Sequence, residues 1–515
     1  MGFSAVDYIV IVVYLVGVAV IGIRIAGKQT STSDYFLGGE GIPWWAVLFS
    51  VVATETSTLT FISIPAVAYG GNLTFLQITL GYIAGRVLVS LFFLPKYYEG
   101  NLTTAYQFLA NRFGPAMRNA TSTTFMVTRL LADGVRLFAT AIPLAIILRL
   151  GGAFIGWGDL QLYLLSISAI SLVTVIYTLI GGIKAVVWMD VMQMAVYIGG
   201  ALLAAGIMIG GIPGGLPAAV TTAAEAGKLN FLEFGFDMSF TDFIATPYTF
   251  FTALVGGAIF SVASHGTDQL IVQRLLTTRN LENSQKALVW SGVVVALQFA
   301  LFLGIGILLY AFYEAQSAEA LGLATTDEIF AKFIVEQLPA GLSGLIVAAL
   351  FAAAMSSLSS SLNSLASSTT LDLYKPYFGK DNTEARDLQV SRMITIIWAL
   401  ILTGSAYFFA LLQLQEGERP AVVELGLGIA SYTYGGLLGA FVLGRWFDKP
   451  DRRDAMIGFF AGLISLLFMV EGPVQDLLPG EGLAIAWPLY TAVGSIIVVA
   501  AGNISRWTRK AWNGG

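Results

Sequence analysis

The sequence predicts an all-α polytopic membrane protein with about thirteen transmembrane helices, and three observations lead to this prediction. Only 11% of the residues are charged and the mean hydropathy is +0.77, whereas about 25% of the residues in soluble proteins are charged. The chain contains thirteen apolar stretches of roughly the 20 residues that a membrane span needs. Lysine and arginine are also distributed unevenly between the segments that connect these stretches.

The thirteen spans follow one another along the whole chain, and we expect them to form a single transporter domain. The first stretch, VDYIVIVVYLVGVAVIGI, lacks the basic lead and the small-residue cleavage site of a signal peptide, so we expect it to remain as a span. The predicted spans are 6–25, 44–70, 75–97, 119–149, 160–180, 185–211, 244–275, 285–313, 341–372, 390–412, 421–444, 454–471 and 484–503.

The basic residues indicate an orientation. When the N-terminus is placed outside and the spans alternate, 20 of the 27 lysines and arginines fall in inside segments. Only four fall in outside segments: Arg149, Lys228, Lys332 and Arg419. The remaining three, Arg86, Arg129 and Arg136, lie within spans. This asymmetry follows the positive-inside rule. It predicts an outside N-terminus and a cytoplasmic C-terminus in a cell inner membrane.

The composition argues against several function classes. The chain has no cysteine and a single histidine, His265, so thiolate chemistry and a transition-metal centre have few residues to build on. The net charge of −5 gives no sign of nucleic-acid binding. We therefore predict no enzyme, no organic cofactor, no transition metal and no obligate protein partner. The predicted partners are the lipid bilayer and a small solute.

The span FAAAMSSLSSSLNSLASSTTLD, residues 351–372, is rich in hydroxyl groups. At 100° per residue its serines and Asn363 form one polar arc, which starts near Ser356 and lies opposite the leucines. One interpretation is close helix packing, with hydroxyls bonded to neighbouring helices or to their own helix. The other is a set of neutral oxygen ligands for a monovalent cation. The pattern alone leaves both open.

Two spans are interrupted by polar residues at corresponding positions, five spans apart. FSVVATETSTLTFISIP, residues 49–65, carries hydroxyls and Glu55, and GAIFSVASHGTDQLIVQRLL, residues 257–276, carries His265 and Asp268. Paired broken helices are typical of inverted-repeat transporters with a site near the bilayer midplane. Glu55 is interpreted as a proton site, a partner for a solute cation, or the mate of an intramembrane arginine. His265 is a satisfied interior histidine or a proton relay.

Further charges lie inside other spans. Arg129, Asp133 and Arg136 are spaced to share one helix face, so they form either a buried network or a clamp in which an arginine binds a solute carboxylate. Asp190 enters a span after a Gly-Gly turn and Lys184. It is either a carboxylate near a helix N-terminus or an ion ligand. Asp268, like Glu55 and Asp133, is a coupling or a structural charge.

Several motifs resemble the sodium/solute symporter family, which includes sodium–glucose, sodium–iodide, monocarboxylate and bacterial sialic acid transporters. The most specific motifs are YTLIGGIKAVVWMDVMQ and AAAMSSLSSSLNSLAS. The family likeness extends to three further stretches: DQLIVQRLL, FLPKYYEGNLTTAYQFLANRFG and DYFLGGEGIPWW. The likeness covers nearly the whole chain. It implies a LeuT-type fold of two inverted five-helix repeats, 44–211 and 244–444, with a leading helix at 6–25 and two C-terminal helices in 454–503.

The resemblance also implies site residues. A first sodium site uses the backbone carbonyl oxygens of Ala53, Thr56 and Ala353 and the hydroxyls of Ser356 and Ser357. A second, nearer the cytoplasm, uses Asp190, Ser356, Ser359 and Ser360. The implied solute contacts are Ser57, Thr60, Gln77, Ser261 and either Arg129 or Arg136. The family pattern assigns no role to Glu55.

The expected function is therefore a Na⁺-coupled symporter that imports a small polar organic solute, such as a sugar, a sialic acid or another carboxylate. With both sodium sites present, we expect two Na⁺ per cycle. The alternative is a transporter of the same fold that is coupled to protons through Glu55.

Overall fold

The structure is a computed structural model that describes residues 4–39, 41–150, 152, 154, 156–323, 325–413, 422–469, 482 and 484–513. Within these residues every regular element is a helix. Arg419, residue 421 of the span predicted at 421–444, and residues 470 and 471 of the span at 454–471 lie outside the described residues.

The helices follow the predicted order of segments. The N-terminal part has α1 (Ala5–Ile25) and α2 (Thr32–Leu37). The next part has α3 (Trp44–Glu55), α4 (Thr58–Gly70), a 3₁₀ turn (Thr74–Leu76), α5 (Gln77–Phe92), α6 (Leu94–Glu99), α7 (Ala105–Phe113), α8 (Pro115–Leu150), α9 (Asp159–Gly211) and α10 (Gly215–Glu225).

The second half contains the remaining elements. They are α11 (Phe240–Ala245), α12 (Phe250–Gly266), α13 (Gln269–Leu275), α14 (Leu281–Phe312), α15 (Glu328–Glu336), α16 (Leu342–Ser368), a π-helical turn (Thr369–Tyr374), α17 (Lys375–Phe378), α18 (Glu384–Gln413), α19 (Val422–Trp446), α20 (Arg452–Met469) and α21 (Trp487–Asn513).

Among the described residues, nine helical segments are long and apolar enough to cross a membrane, or ten with the bent pair α3–α4. One of the nine, α9, contains two of the predicted spans, 160–180 and 185–211. The chain changes direction inside α9 at Gly182, where φ is 53° and ψ is −155°. Because this region of φ/ψ is open essentially to glycine alone, Gly182 marks the boundary between the two spans. The number thirteen stays a prediction.

The hydroxyl-rich span is also the most buried of the candidate membrane spans among the described residues. In α16 every residue from Ile346 to Ser368 is buried, whereas α1 exposes large apolar side chains such as Val13, which is 65% exposed. This inverts the pattern of a soluble protein, because lipid is the solvent at the surface and polar side chains at membrane depth must face other protein groups. The hydroxyl-rich helix therefore lies at the centre of the bundle, packed against α9, α1 and α8.

Candidate functional site

The first interrupted span is broken between α3 and α4, whose axes differ in direction by 65°. Hydroxyl side chains compete with the helix for backbone groups here. In an unbroken helix the amide of Ser57 would donate to the carbonyl of Ala53, but it donates instead to Thr60 Oγ1 at 3.4 Å. The break therefore removes the usual donor to the Ala53 carbonyl oxygen at the centre of the bundle.

Three of the oxygens expected in the first sodium site lie close together at this break. Ser357 Oγ is 3.4 Å from the Thr56 carbonyl oxygen and 3.3 Å from the Ala353 carbonyl oxygen. Oxygens that share an octahedrally bound cation at about 2.4 Å, within the range for Ca²⁺, are about 3.4 Å apart. Na⁺ is close to Ca²⁺ in size. The spacing is thus wide for a hydrogen bond and suited to a small cation between α3, α4 and α16.

The second group of predicted ligands surrounds Asp190, which is fully buried on α9. Ser356 Oγ donates to Asp190 Oδ1 at 2.7 Å, and Ser50 Oγ on α3 donates to Oδ2 at 2.6 Å. Ser359 and Ser360 donate to the Ser356 carbonyl oxygen at 3.0 and 2.7 Å. The structure therefore brings all four predicted residues to one place, with Ser356 between the two groups.

Sequence reasoning missed a buried arginine beside Asp190. Arg274 on α13 has no solvent exposure, and its Nη2 lies 3.6 Å from Asp190 Oδ2. Its Nε donates to Ser50 Oγ at 3.0 Å, and its Nη2 contacts Ser360 Oγ. Arg274 was counted among the 20 inside basic residues, although the predicted span 244–275 contains it, and this concealed its role. Its position in the apolar run LIVQRLL was the available signal, because an arginine inside a membrane span needs an internal partner.

The second interrupted span is broken between α12 and α13, and a buried arginine closes this break. Asp268 accepts from the amide of Leu270 at 2.8 Å, which caps α13. Arg129 on α8 pairs with Asp268 and also contacts the Tyr434 hydroxyl. That hydroxyl donates to Asp268 at 2.7 Å. All three side chains are buried, so Arg129 forms the buried network that its spacing allowed.

Arg136 has a different environment from Arg129. Its side chain is 27% exposed, and its Nη1 is 3.7 Å from Asp133 Oδ1. Asp133 also accepts a hydrogen bond of 2.5 Å from Ser361 on α16. The Ser361 hydroxyl in turn lies 3.2 Å from the Ser357 carbonyl. Arg136 is thus only weakly held, and it is linked through two residues to the group of oxygens around Ser357.

Glu55, which the family pattern left without a role, lies in a third charged cluster. Its carboxylate is 2.5 Å from Arg86 Nη2 and 2.8 Å from His265 Nε2. Arg86, fully buried on α5, also donates to Ser291 Oγ at 2.7 Å. His265 Nδ1 is 2.8 Å from Ser264 Oγ. This is the arrangement expected if Glu55 is the mate of an intramembrane arginine and His265 a satisfied interior histidine.

The other predicted solute contacts bond mainly to the protein itself. Ser57 and Thr60 cap the start of α4, and Ser261 Oγ donates to the Tyr82 carbonyl at 3.1 Å. Gln77 donates to the Tyr248 carbonyl at 2.8 Å and accepts from the amide of Glu233 at 3.1 Å. Gln77 therefore joins the segment before α12 to the start of α5 through these two hydrogen bonds.

A second set of hydrogen bonds joins that segment to α4. Lys228, which follows α10, donates to the carbonyl oxygens of Tyr69 and Gly71 at 2.6 and 3.0 Å, at the end of α4. Its ammonium also lies 4.3 Å from the centre of the Tyr310 ring on α14. Burial lowers the pKa of the Lys228 ammonium. The segment between α10 and α12 is thus tied to α4, the second half of the broken helix.

Comparison with known proteins identifies the family. A sequence profile of the sodium:solute symporter family matches residues 35–462. The chain belongs to this family.

Curated relatives agree with this assignment over nearly the full length of the chain. The sodium/sialic acid symporter NanT of Aliivibrio fischeri is 31% identical over 98% of this chain and 93% of its own. The sodium-dependent multivitamin transporter of Oryctolagus cuniculus is also 31% identical, over 94% of this chain and 72% of its own. The sodium/glucose cotransporter of Vibrio parahaemolyticus is 27% identical over 98% and 91%.

Solved structures agree as well. A substrate-bound, outward-open Na⁺-coupled sialic acid symporter superposes with a TM-score of 0.83 at 29% identity and covers 98% of both chains. A transporter of the nucleobase-cation-symport-1 family, 14% identical, has a TM-score of 0.51 over 95% of this chain and 96% of its own, and it shows the fold alone. The protein is therefore a multi-pass membrane transporter of LeuT-type fold and a Na⁺-coupled solute symporter, and it is not an enzyme.

Proposed function

We propose that this symporter imports a small organic anion of the sialic-acid class across a cell inner membrane, with two Na⁺ per cycle. The N-terminus would be outside and the C-terminus cytoplasmic. The single observation that carries the solute class is the environment of Arg136. This arginine is 27% exposed, and its partner Asp133 is 3.7 Å away, so its guanidinium remains available for a bidentate bond to a carboxylate.

A sialic acid fits this site better than a neutral sugar. Moving a carboxylate to membrane depth is costly unless a cation pairs with it, and Arg136 supplies that cation. Arg129 does not, because Asp268 and Tyr434 already occupy it. The sialic acid symporters among the relatives support the same class.

Sodium would act by holding helices together. An ion at the first site would join the break between α3 and α4 to Ala353 and Ser357 on α16. Because an ion that binds one conformation more tightly shifts the population toward it, Na⁺ would favour the state with these helices in contact. The path from Ser357 through Ser361 and Asp133 to Arg136 gives a physical connection between the ion and the solute carboxylate.

The second ion would occupy the Oδ1 side of Asp190, next to Ser356. Arg274 lies on the opposite oxygen, 3.6 Å from Oδ2, so the arginine and the ion need not compete for one position. Two Na⁺ and one carboxylate would carry one net positive charge inward per cycle. Apart from Na⁺ as the coupling ion, the transport cycle would use no cofactor.

The test is uptake of N-acetylneuraminic acid into proteoliposomes under an inward Na⁺ gradient. We expect uptake that disappears when choline replaces Na⁺ and that is faster with a negative interior potential. The methyl ester of the same sugar acid, which lacks the carboxylate, and glucose are the matched control solutes. We expect Arg136→Gln to abolish sialic acid uptake, and Arg136→Lys to retain part of it.

Two outcomes would contradict separate parts of the proposal. Uptake that persists in choline and depends only on pH would favour proton coupling through Glu55 over sodium. Sodium-dependent uptake of the methyl ester at the rate of the free acid would leave sodium coupling intact and exclude the carboxylate clamp at Arg136.

A further inference from the structure

The described part of the chain has a basic cavity far from the ion and solute sites, between α20 and α21. Its volume is about 320 Å³, and its polar lining includes Arg453, Arg509 and the hydroxyl of Thr508. Trp512 and Ile457 also line it and supply its apolar surface. A space of this size, with two guanidinium groups and an apolar wall, has the chemistry of a lipid headgroup site.

The two arginines of the cavity play different roles. Arg509 is a structural residue, because its two terminal nitrogens pair with Asp451 at 2.7 Å and with Asp454 at 2.6 Å. Arg453 forms no ion pair with any residue that the structure describes. The cavity therefore keeps one unneutralised guanidinium, that of Arg453, which suits a phosphate group.

The surrounding segments reinforce this positive charge. Residues 445–454 and 503–515 contain seven basic and three acidic side chains. Two of those acids, Asp451 and Asp454, are already paired with Arg509. Basic pockets between membrane helices on the cytoplasmic side bind anionic lipid headgroups.

Two exposed apolar stripes lead away from the cavity. On α20, Ile457 is followed at helical spacing by Phe460 and Ile464, which are 44% and 51% exposed. On α21, Ile504 is 55% exposed and lies one turn before Thr508. These stripes face the hydrocarbon, so a molecule with its phosphate in the cavity can lay an acyl chain along them. A free phosphate or a soluble partner would leave the stripes unused.

Tryptophans place the cavity at a membrane–water interface. Trp512, Trp507 and Trp446 are 89%, 63% and 46% exposed, and they lie near the ends of α21 and α19. Exposed tryptophans are enriched where the headgroups begin, because the ring is apolar and its N–H is polar. The cavity thus lies at headgroup depth and the stripes at acyl-chain depth.

We propose that the cavity between α20 and α21 binds one anionic phospholipid of the phosphatidylglycerol type, with its phosphodiester on Arg453 beside Thr508. The acyl chains lie against Ile457 and Ile504. This site is independent of the solute and of the number of sodium ions.

The test is lipid retention by the full-length purified protein. Native mass spectrometry measures the amount of dioleoyl phosphatidylglycerol and of dioleoyl phosphatidylcholine that remain bound. Separate samples contain glycerophosphoglycerol or inorganic phosphate at the same concentration as competitors. We expect about fivefold greater retention of phosphatidylglycerol than of phosphatidylcholine, because the net negative charge of the phosphatidylglycerol headgroup meets the one unneutralised guanidinium of Arg453. We expect little competition from the two soluble phosphates.

Arg453→Gln is the deciding variant, and Arg452→Gln is its matched control. Both remove one exposed arginine from the start of α20, but only Arg453 lines the cavity. Neither substitution removes an ion pair of the described residues. We expect Arg453→Gln to lower phosphatidylglycerol retention about fivefold, in line with one charge-assisted contact, and Arg452→Gln to change it less than twofold.

Three results would overturn the proposal. Equal losses in the two variants would show diffuse attraction by surface charge. Efficient displacement by inorganic phosphate or glycerophosphoglycerol would show an anion site that does not require lipid. Equal retention of phosphatidylglycerol and phosphatidylcholine by the unsubstituted protein would show that the headgroup charge is not recognised.

Discussion

The two groups of candidate sodium ligands differ in their electrostatics, although they share Ser356 and lie on the same face of α16. The group around Ser357 consists of neutral carbonyl and hydroxyl oxygens from Thr56 and Ala353. The group around Ser360 contains a buried carboxylate, Asp190, which already has Arg274 beside it.

The difference shows that a buried carboxylate is not by itself an excess negative charge. With Arg274 counted, the second group is neutral overall before an ion binds, just as the first group is. An ion at either place would therefore leave the same net charge of +1. The two groups differ in the effect of removing one member. Loss of a neutral oxygen leaves no unpaired charge, whereas loss of Asp190 leaves the buried guanidinium of Arg274 without its partner.

The largest effect should come from Asp190→Ala. Removal of one partner from a buried ion pair costs about 3–5 kcal/mol, because Arg274 has no access to solvent. We expect a large fall in the thermal unfolding temperature together with loss of transport. The double variant Asp190→Asn with Arg274→Gln is the control, and we expect it to recover much of the lost stability without recovering the second ion. A double variant no more stable than Asp190→Ala would refute the pairing.

Glu55→Gln should have the next largest effect on stability. It leaves Arg86 buried without its carboxylate, so we expect a substantial loss of thermal stability. Coupling should still require Na⁺, because the first group of oxygens contains no atom of the Glu55 side chain. The measurement is solute uptake in Na⁺ and in choline at several pH values. The opposite outcome has two parts: the unsubstituted protein takes up solute equally in the two salts, and Glu55→Gln loses this uptake. That result would identify Glu55 as a proton carrier.

Ser356→Ala should weaken both ions at once. The resemblance to the family assigns its hydroxyl to both groups, and in the structure this hydroxyl donates to Asp190. Loss of one such contact is worth about 1–2 kcal/mol, so we expect the Na⁺ concentration for half-maximal uptake to rise about tenfold. The measurement is a Na⁺ titration of solute binding. If the variant weakens only the second site and leaves Na⁺ binding at the first site unchanged, Ser356 does not serve the first site.

Ser357→Ala and Ser360→Ala should separate the two ions. We expect Ser357→Ala to affect the first and Ser360→Ala the second, each by several-fold in Na⁺ affinity, since each removes one hydroxyl. The readout is charge movement per solute. With an anionic solute, loss of the second ion makes transport electroneutral, so Ser360→Ala should reduce the charge moved per solute at Na⁺ concentrations that no longer fill the weakened second site. Persistent current at full size would exclude a second ion on this side.

The smallest effect should come from Ser359→Ala. The Ser359 hydroxyl donates to the Ser356 carbonyl of its own helix at 3.0 Å and has no direct contact with Asp190. We expect the Na⁺ affinity to change less than about threefold, because the lost hydrogen bond lies within α16 and, at about 0.5 kcal/mol, is at the weak end of the range for such bonds. An effect as large as that of Ser360→Ala in the same titration would make Ser359 a direct ligand.

Local sequence patterns predicted the elements well wherever the cause is local. The predicted span 285–313 corresponds to α14 at Leu281–Phe312. The two interruptions were expected around Glu55 and around His265 to Asp268. The helices break after Glu55 and after Gly266. Hydroxyl, glycine and aspartate side chains disturb the helix in which they themselves lie, so the chain sequence is sufficient to locate these breaks.

Local sequence patterns could not predict which side chains pair across the bundle. The Glu55–His265 contact joins residues that are 210 positions apart, and the Arg274–Ser50 contact joins residues that are 224 apart. The sequence could say only that each buried charge needs a partner. The sequence offered Asp133 to both Arg129 and Arg136, and the structure places it near both, at 3.5 and 3.7 Å. What the sequence could not show is that Asp268 and Tyr434, on other helices, also hold Arg129.

The amino-acid sequence specified a membrane protein with broken helices and a hydroxyl-rich central span, because hydropathy and helix propensity act over one turn or one span. The tertiary structure decided which charges neutralise one another: Arg274 for Asp190, Arg86 for Glu55, and Asp268 for Arg129. The physical reason is that a buried charge is stabilised over a few ångströms in space, and the fold sets those distances without regard to separation along the chain.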